Sequence, residues 1–192
     1  MAALNSKARI AVFISGRGSN LKNLIRKSKL NKSKYRVYLV ISNKTDAKGL
    51  DYAKKNKIKN YSIERKLSVF ENNALRLIKT NKIEVICLAG FMRILSPDFI
   101  KKVKIPILNI HPSLLPKFKG LNTHERAINA KHKFSGCTVH YVNEELDSGK
   151  KIIQKKVKIL KSDNAKSLER KILKLEHKAY KEALDKILVF KK

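Results

Sequence analysis

An asparagine and a histidine stand two residues apart in the apolar stretch ILNIHPSLLP, which runs from Ile107 to Pro116. Side chains at positions i and i+2 of a β-strand point to the same face, so we expect Asn109 and His111 to project together. An amide and an imidazole can donate hydrogen bonds to a developing oxyanion, and an imidazole can also move a proton. The alternative is a pair of interior polar residues whose hydrogen bonds are satisfied, and these two residues alone do not decide between the interpretations.

An aspartate in a later loop supplies a third candidate. Asp147 lies in the stretch EELDSGKKI, where an aspartate before Ser-Gly is by itself typical of an ordinary turn. A carboxylate beside a histidine favours the imidazolium, so we expect Asp147 to raise the pKa of His111. Together with Asn109 the three side chains suit attack on an acyl carbonyl by an external amine or water. No enzyme nucleophile is evident, because Ser113 lacks the surrounding GxSxG pattern.

The stretch SGRGSN, residues 15–20, predicts an anion site. Gly16 and Gly18 allow a tight turn, and Ser19 and Asn20 open a helix whose backbone N–H groups would face the same point. The stretch is neither GxGxxG nor GxxxxGK[ST], and the second strand ends Ser-Asn without the acidic residue typical of dinucleotide sites. These features favour a phosphate monoester over NAD or ATP, with a plain tight turn as the alternative.

The elements that would position these residues alternate between apolar β-branched runs and helical patterns. Strands are predicted at 8–15, 35–42, 61–63, 84–90, 106–113, 136–142 and 151–159, and helices at 19–30, 46–56, 67–81 and 165–188. Asp163 or Ser162 is the expected cap of the last helix.

This alternation predicts an α/β fold with a doubly wound, mostly parallel, Rossmann-like sheet of about seven strands. The later strands follow one another without long helices, so we expect an antiparallel strand near one edge. The length of 192 residues suits one domain, 1–192. Ligands of such sheets bind beyond the carboxyl ends of the strands, where SGRGSN, GFMRILSP and NIHPSLLP all fall.

The composition limits the classes of function. The net charge of +30 would fit a nucleic-acid binder, but the lysines are spread along the chain without an aromatic-interleaved basic stripe. We interpret the charge mainly as a solvated surface that favours anionic small molecules, with a nucleic-acid-binding module as the alternative. No apolar run reaches the roughly 18 residues of a membrane span, and the first apolar run is typical of a strand rather than a signal peptide. Cys87 and Cys137 are expected to be buried, inert thiols in a reducing compartment.

Several motifs occur in an order that carries a family resemblance: SGRGSNL, ISN with a following AKGL, LAGFMRILS, NIHPSLLPKFKG, THERA, GCTVHYV and ELDSG. Over about residues 8 to 180 the chain closely resembles the phosphoribosylglycinamide formyltransferases, also called glycinamide ribonucleotide transformylases, of the folate-dependent formyltransferase family. The resemblance implies the formyltransferase fold and an enzyme of de novo purine biosynthesis. That enzyme transfers the formyl group of 10-formyltetrahydrofolate to the amino group of 5-phosphoribosylglycinamide, without a metal.

The resemblance also implies roles for individual residues. The catalytic residues would be Asn109, His111 and Asp147. The phosphate and ribose of the substrate would contact Gly18, Ser19, Asn20, Pro112 and Glu176, and the folate would contact Met92, Arg93, Ile94, Leu95 and Val142. Two residues depart from the pattern of the family. Leu173 stands where a polar neighbour of the phosphate is expected, and Lys119 stands where the family usually has proline. His124 and His140 match the family, and we expect both to be structural.

Two relatives with the same catalytic fold are the rival interpretations. Methionyl-tRNA formyltransferase carries a further C-terminal domain for tRNA, and formyltetrahydrofolate deformylase carries a preceding regulatory domain; we expect neither domain here. A free phosphate loop favours a nucleotide monophosphate as the acceptor. The expected partners are therefore small-molecule substrates, without nucleic acid or membrane, for a cytoplasmic monomer or homodimer.

Overall fold

The computed structural model describes residues 7–189, so residues 1–6 and 190–192 of the predicted domain lie outside the described residues. The chain divides into two compact units. The first unit runs to Leu108 and takes up the chain again at Leu184, and the second unit spans Asn109–Ala183. The single domain 1–192 stays a prediction.

Strands and helices alternate through most of the described chain. The strands are β1 Ala8–Ile14, β2 Tyr35–Ser42, β3 Lys59–Ser62, β4 Val85–Leu88, β5 Ile107–His111, β6 Phe134–Tyr141 and β7 Lys151–Lys158. The helices are α1 Ser19–Ser28, α2 Gly49–Lys55, α3 Leu67–Thr80, α4 Pro97–Val103, α5 Thr123–Asn129 and α6 Ala165–Ile187.

The seven strands form one hydrogen-bonded sheet in the order β3-β2-β1-β4-β5-β6-β7. In the first unit β1 pairs in parallel with β2 and β4, and β2 pairs in parallel with β3. In the second unit β6 and β7 are antiparallel, and β7 is the edge strand. The predicted α/β fold, a doubly wound and mostly parallel sheet with an antiparallel strand at one edge, is confirmed.

The core of the first unit explains why β1 and β4 read as almost unbroken apolar runs. Phe13 of β1 is fully buried and meets the rings of Phe70 and Phe91 edge-on, with ring centroids 5.6 and 5.7 Å apart. A strand that is covered on both faces cannot alternate with polar residues, because each would lose its hydration on burial.

The helix ends show where the sequence pattern was incomplete. Asn164, rather than Asp163 or Ser162, caps α6, since its side-chain oxygen accepts a hydrogen bond of 2.9 Å from the Ser167 amide. Asp163 instead accepts from the Ser167 hydroxyl and from Lys171. The short helices α4 and α5, of seven residues each, were not predicted.

Within residues 7–189, no helix is both long enough and apolar enough to cross a membrane. The charged residues that interrupt even the longest helix, α6, account for this, because lysines and glutamates recur along it.

Candidate active site

The end of β5 brings the two polar side chains of ILNIH together in the second unit. Asn109 is half-buried and His111 is 5 % exposed. Both belong to the same face of the strand, as their spacing predicts. Asp147 follows in the loop between β6 and β7, and its backbone has a φ of 48°, in the left-handed region. Such a conformation is uncommon outside glycine and is often kept where a side chain must be aimed.

The Asp147 carboxylate is the centre of the site. Its Oδ2 lies 3.3 Å from Nδ1 of His111 and accepts a 2.9 Å hydrogen bond from the backbone amide of Gly120. Its Oδ1 lies 3.4 Å from Nδ2 of Asn109 and 3.6 Å from Nε2 of His140. Asp147 is therefore within reach of both other predicted catalytic side chains, and both oxygens of its carboxylate are engaged.

The ring of His111 is held between two oxygen acceptors. Nε2 lies 2.8 Å from the backbone carbonyl of Phe118, and Nδ1 faces Asp147. Only the doubly protonated ring donates to both. Burial nevertheless lowers the pKa of His111 below its ordinary value, against the opposing influence of the Phe118 carbonyl and of Asp147.

The expected effect of Asp147 on His111 is therefore present, but the pKa still lies below its ordinary value. The carboxylate acts in the expected direction, but the cost of placing a charge in a buried position outweighs it. At neutral pH the free site holds a mainly neutral ring, which gains its second proton more readily once negative charge develops beside it.

Asp147 itself stays ionised at neutral pH. Burial would raise the pKa of this carboxyl, but the hydrogen bond from His140, the amide of Gly120 and the nearby His111 together lower it. The carboxylate is therefore already charged at neutral pH. It can act as a base and accept hydrogen bonds without first losing a proton.

His140 is a member of this cluster that the sequence analysis expected to be only structural. It is 2 % exposed, and its Nδ1 lies 2.8 Å from the carbonyl of Tyr141, which fixes the ring. Its Nε2 lies 3.3 Å from Asn109 Nδ2. The available signal was its position on β6 among apolar residues, since β6 lies beside β5 in the sheet.

Backbone geometry holds the loops around the cluster. A Cβ at Gly149 would lie 1.8 Å from the carbonyl oxygen of Tyr141, so only glycine fits there. Phe118 and Gly120 have φ values of 55° and 77°. A phenylalanine in the left-handed region is strained. This strained residue supplies the carbonyl that lies against Nε2 of His111.

In the first unit, the predicted phosphate loop connects β1 to α1. Gly18 has a φ of 73°, and a Cβ there would lie 2.6 Å from the Cα of Gly49, so two glycines allow the loop and α2 to touch. Gly18 is the N-cap of α1 and has no side chain that could cap the helix, and the first turn holds no acidic residue. Ser19 is half-exposed and Asn20 is buried. This arrangement suits an anion at the helix start.

A buried network ties this loop to the predicted folate segment. The Ser15 hydroxyl accepts a 2.7 Å hydrogen bond from the Met92 amide. In the orientation that satisfies its neighbours, the Asn43 amide donates to Ser15 Oγ, and its oxygen accepts from Arg93 Nε at 3.2 Å. Ser15 and Asn43 are both buried, so the network fixes the backbone that begins the segment.

The predicted folate residues differ in what they can offer to a ligand. Met92 and Ile94 are each 66 % exposed, and these two apolar side chains offer a surface for a ring. Leu95 is 4 % exposed and packs in the core, so only its backbone or the margin of its side chain is accessible. Arg93 is half-buried and donates to the carbonyl of Arg65 at 2.7 Å.

The remaining predicted residues lie in the second unit. Pro112 and Val142 are half-buried, and Glu176 of α6 is 8 % exposed. The pKa of Cys137 rises to about 12, chiefly through burial and secondarily through the charge of Glu176. Cys87 and Cys137 form no disulfide bond and are fully buried, which confirms the prediction of buried thiols.

The cluster consists of two imidazoles, an amide and a carboxylate in the part of the chain that the structure describes. There, no group of three or more His, Cys, Asp or Glu side chains is arranged to hold a metal ion. The chemistry that the cluster can support is proton transfer and the stabilisation of an oxyanion.

Comparisons with known proteins agree with this chemistry. The formyl transferase family matches residues 8–184. A phosphoribosylglycinamide formyltransferase of Haemophilus influenzae is 41 % identical, over 90 % of this chain and 83 % of that protein. The crystal structure of a phosphoribosylglycinamide formyltransferase from Brucella melitensis superposes with a TM-score of 0.88 at 39 % identity, covering 97 % of this chain and all of that one.

A second kind of relative is much longer than this chain. The trifunctional purine biosynthetic protein adenosine-3 of Bos taurus is 41 % identical over 93 % of this chain, but the chain spans only 18 % of that protein. The match to the family covers nearly all of the described residues, and it includes every residue of the cluster. The chain belongs to the formyl transferase family.

Proposed function

We propose that this protein transfers the formyl group of 10-formyltetrahydrofolate to the amino group of 5-phosphoribosylglycinamide, giving formylglycinamide ribonucleotide and tetrahydrofolate. The observation that carries the proposal is the buried cluster of Asn109, His111 and Asp147 in a chain of the formyl transferase family. The names of its relatives support the choice of acceptor.

The reaction needs no covalent enzyme intermediate. The neutral amine of the ribonucleotide attacks the formyl carbon, and the new C–N bond creates a tetrahedral intermediate with a negative oxygen. The intermediate collapses when the bond between the formyl carbon and N10 of the folate breaks. The amine nitrogen loses one proton and N10 gains one, so the balance closes without another reactant.

Asn109 and His111 are the donors to the negative oxygen. In the free site both donors are occupied, since Asn109 faces His140 and Asp147 at 3.3 and 3.4 Å and His111 Nε2 faces the Phe118 carbonyl. The Asn109 contacts are long and therefore weak. Catalysis then requires that His111 Nε2 exchanges its bond with Phe118 for a bond with the oxyanion, which is the stronger acceptor because it is charged.

Asp147 carries the proton transfer. Its lowered pKa keeps the carboxylate ionised at neutral pH, so it can hold a water molecule that accepts the amine proton and returns it to N10. The same carboxylate stabilises His111 when that ring becomes charged. Removing the charge of Asp147 therefore affects both proton transfer and the oxyanion.

Substrate binding uses the residues outside the cluster. Gly18, Ser19 and Asn20 take the phosphate, and Glu176, with Pro112, takes the ribose. The exposed Met92 and Ile94 face the folate with Arg93, Leu95 and Val142. The positive surface favours both anionic substrates. The protein acts in the cytoplasm on these small molecules, as a monomer or homodimer and without a nucleic-acid partner.

The test follows 10-formyltetrahydrofolate spectroscopically, with and without the ribonucleotide. The proposal expects consumption only when the ribonucleotide is present, with formylglycinamide ribonucleotide as the product. Release of formate without the acceptor would instead identify a deformylase. An Asn20→Ala variant should raise KM for the ribonucleotide more than it lowers kcat, because Asn20 contacts a part of the substrate that does not react.

A further inference from the structure

The folate segment, residues 89–96, joins β4 to α4 in the first unit and is neither a helix nor a strand. Met92 and Ile94 are each 66 % exposed, so these two side chains contribute little packing that could hold the segment. Among the residues that the structure describes, the backbone amides of Ile94 and Leu95 donate to no other residue. A ligand that binds here therefore meets a segment whose shape depends on how its two ends are held.

The first end of the folate segment is held by Ser15 and Asn43. The Ser15 amide donates to the Gly90 carbonyl at 3.1 Å, and the Ser15 hydroxyl accepts from the Met92 amide at 2.7 Å. Asn43 donates to the same hydroxyl and accepts from Arg93 Nε at 3.2 Å. Asn43 is only 4 % exposed, so we expect it to act on a bound folate through Ser15 and Arg93 rather than by direct contact.

The second end of the folate segment is held by a buried carboxylate of α3. Glu71 is 7 % exposed, and its two oxygens accept hydrogen bonds from the amide and the hydroxyl of Ser96, each at 2.7 Å. The Ser96 hydroxyl also accepts from the Phe99 amide, so it caps α4 without needing a carboxylate. Glu71 forms no ion pair with any described residue. Burying a charge is costly, and here both of its hydrogen bonds serve to fix Ser96.

Ring contacts hold α3 against the middle of the same segment. Phe91 stacks on Phe70, the residue before Glu71, with ring centroids 5.3 Å apart, and it meets Phe13 at 5.7 Å. Phe70 and Phe13 are fully buried. Because these rings pack independently of the carboxylate, loss of the Glu71 hydrogen bonds would release Ser96 without separating α3 from the sheet.

We infer that Asn43 and Glu71 are positioning residues of the folate site, which hold the folate segment in its binding conformation before the folate arrives. The inference rests on the proposed function, since that function places the folate at this segment. A segment held at only one end populates other conformations, and the affinity for a ligand falls in proportion to the fraction that can bind. Saturating folate restores the binding conformation, so the chemical step is spared.

The experiment is calorimetric titration of the full-length protein with tetrahydrofolate and, separately, with 5-phosphoribosylglycinamide. Asn43→Ala and Glu71→Ala, the two anchor variants, each release one end of the segment. Glu71→Gln is the conservative variant, because its amide oxygen can accept from the Ser96 amide while its amide nitrogen donates to the Ser96 hydroxyl. The matched control is Asn81→Ala, since Asn81 is also buried and hydrogen-bonded but lies at the opposite end of α3.

The inference expects each anchor variant to bind tetrahydrofolate about tenfold more weakly and the ribonucleotide within about twofold of the wild type. Glu71→Gln and Asn81→Ala should bind both ligands as the wild type does. In steady-state assays of the anchor variants, KM for 10-formyltetrahydrofolate should rise while kcat stays nearly unchanged. A purely structural role would lower stability in urea unfolding without this selectivity between the two ligands.

Unchanged tetrahydrofolate affinity in the anchor variants, or an equal loss for both ligands, would overturn the inference and leave the proposed function standing. If Glu71→Ala does not fold, Ser96→Ala replaces it, because that variant removes only the hydroxyl that Glu71 binds. A wild-type protein that binds no tetrahydrofolate would overturn the proposed function and the inference together.

Discussion

Replacing Asp147 with asparagine removes one charge from the centre of the cluster and changes the shape of the side chain little. The carboxylate contacts His111 and His140 and accepts from the Gly120 amide. An amide oxygen can keep the bond from Gly120, and asparagine tolerates the φ of 48° at this position. We therefore expect the variant to fold with a Tm within a few degrees of the wild type.

The loss of activity can be worked from the contacts. A hydrogen bond to a charged group contributes about 1.5–3 kcal/mol, so losing the His111 contact alone would lower the rate by roughly 10- to 150-fold. The loss of the proton-transfer route contributes about 10²- to 10⁴-fold in comparable enzymes. Because the two effects share one carboxylate they are not additive, and we expect kcat to fall by about a thousandfold with KM nearly unchanged.

The pKa of His111 provides a second measurement on the same variant. Asp147 raises that pKa against the dominant effect of burial, so its neutralisation should lower the pKa further below the ordinary value. Histidine titration by NMR measures this directly. Asp98→Asn is the control, since Asp98 is a surface residue paired with Lys102 and should change neither rate nor titration. A rate within threefold of the wild type, or an unchanged His111 titration, would refute the reasoning.

Three further variants test other parts of the structure. His140→Gln removes the hydrogen bond that most strongly lowers the pKa of Asp147, so the acid limb of the kcat profile should move to higher pH. Gly18→Ala places a Cβ 2.6 Å from Gly49 at a positive φ, and urea unfolding should show a loss of about 1–3 kcal/mol. Asn164→Ala removes the α6 cap and should cost about 1 kcal/mol without affecting kcat. An unshifted kcat profile would contradict the prediction for His140→Gln. An unchanged unfolding midpoint would contradict the prediction for Gly18→Ala or Asn164→Ala.

Much of the fold could be predicted because strands that are buried on both faces appear in the sequence as almost unbroken apolar runs. The runs around β1 and β2 and the stripe of α6 were located to within one or two residues. The two short helices α4 and α5 escaped because their ends depend on single capping residues and loop geometry. Ser96, which caps α4 through a 3.1 Å bond from the Phe99 amide, is one such case.

The proximity of Asn109, His111 and Asp147 could be predicted from the sequence, but the place of His140 beside them and the electrostatics could not. Spacing placed Asn109 and His111 on one face, and the family resemblance selected Asp147 from the six aspartates of the chain. The direction of the His111 pKa shift depends on how deeply the ring is buried, which no local pattern encodes. The contact between His111 and the Phe118 carbonyl could not be predicted either, because any residue type can supply a backbone carbonyl.

The central claim is that the cluster around Asp147 moves a formyl group between two nitrogens. The most direct measurement uses 10-formyltetrahydrofolate labelled with ¹³C in the formyl group, in a single turnover with 5-phosphoribosylglycinamide. The account predicts that the label reaches the amino group of the ribonucleotide with the wild type, and at least a hundredfold more slowly with Asn109→Ala and His111→Ala. Label that is released as formate, or transfer that both variants catalyse at the wild-type rate, would contradict it.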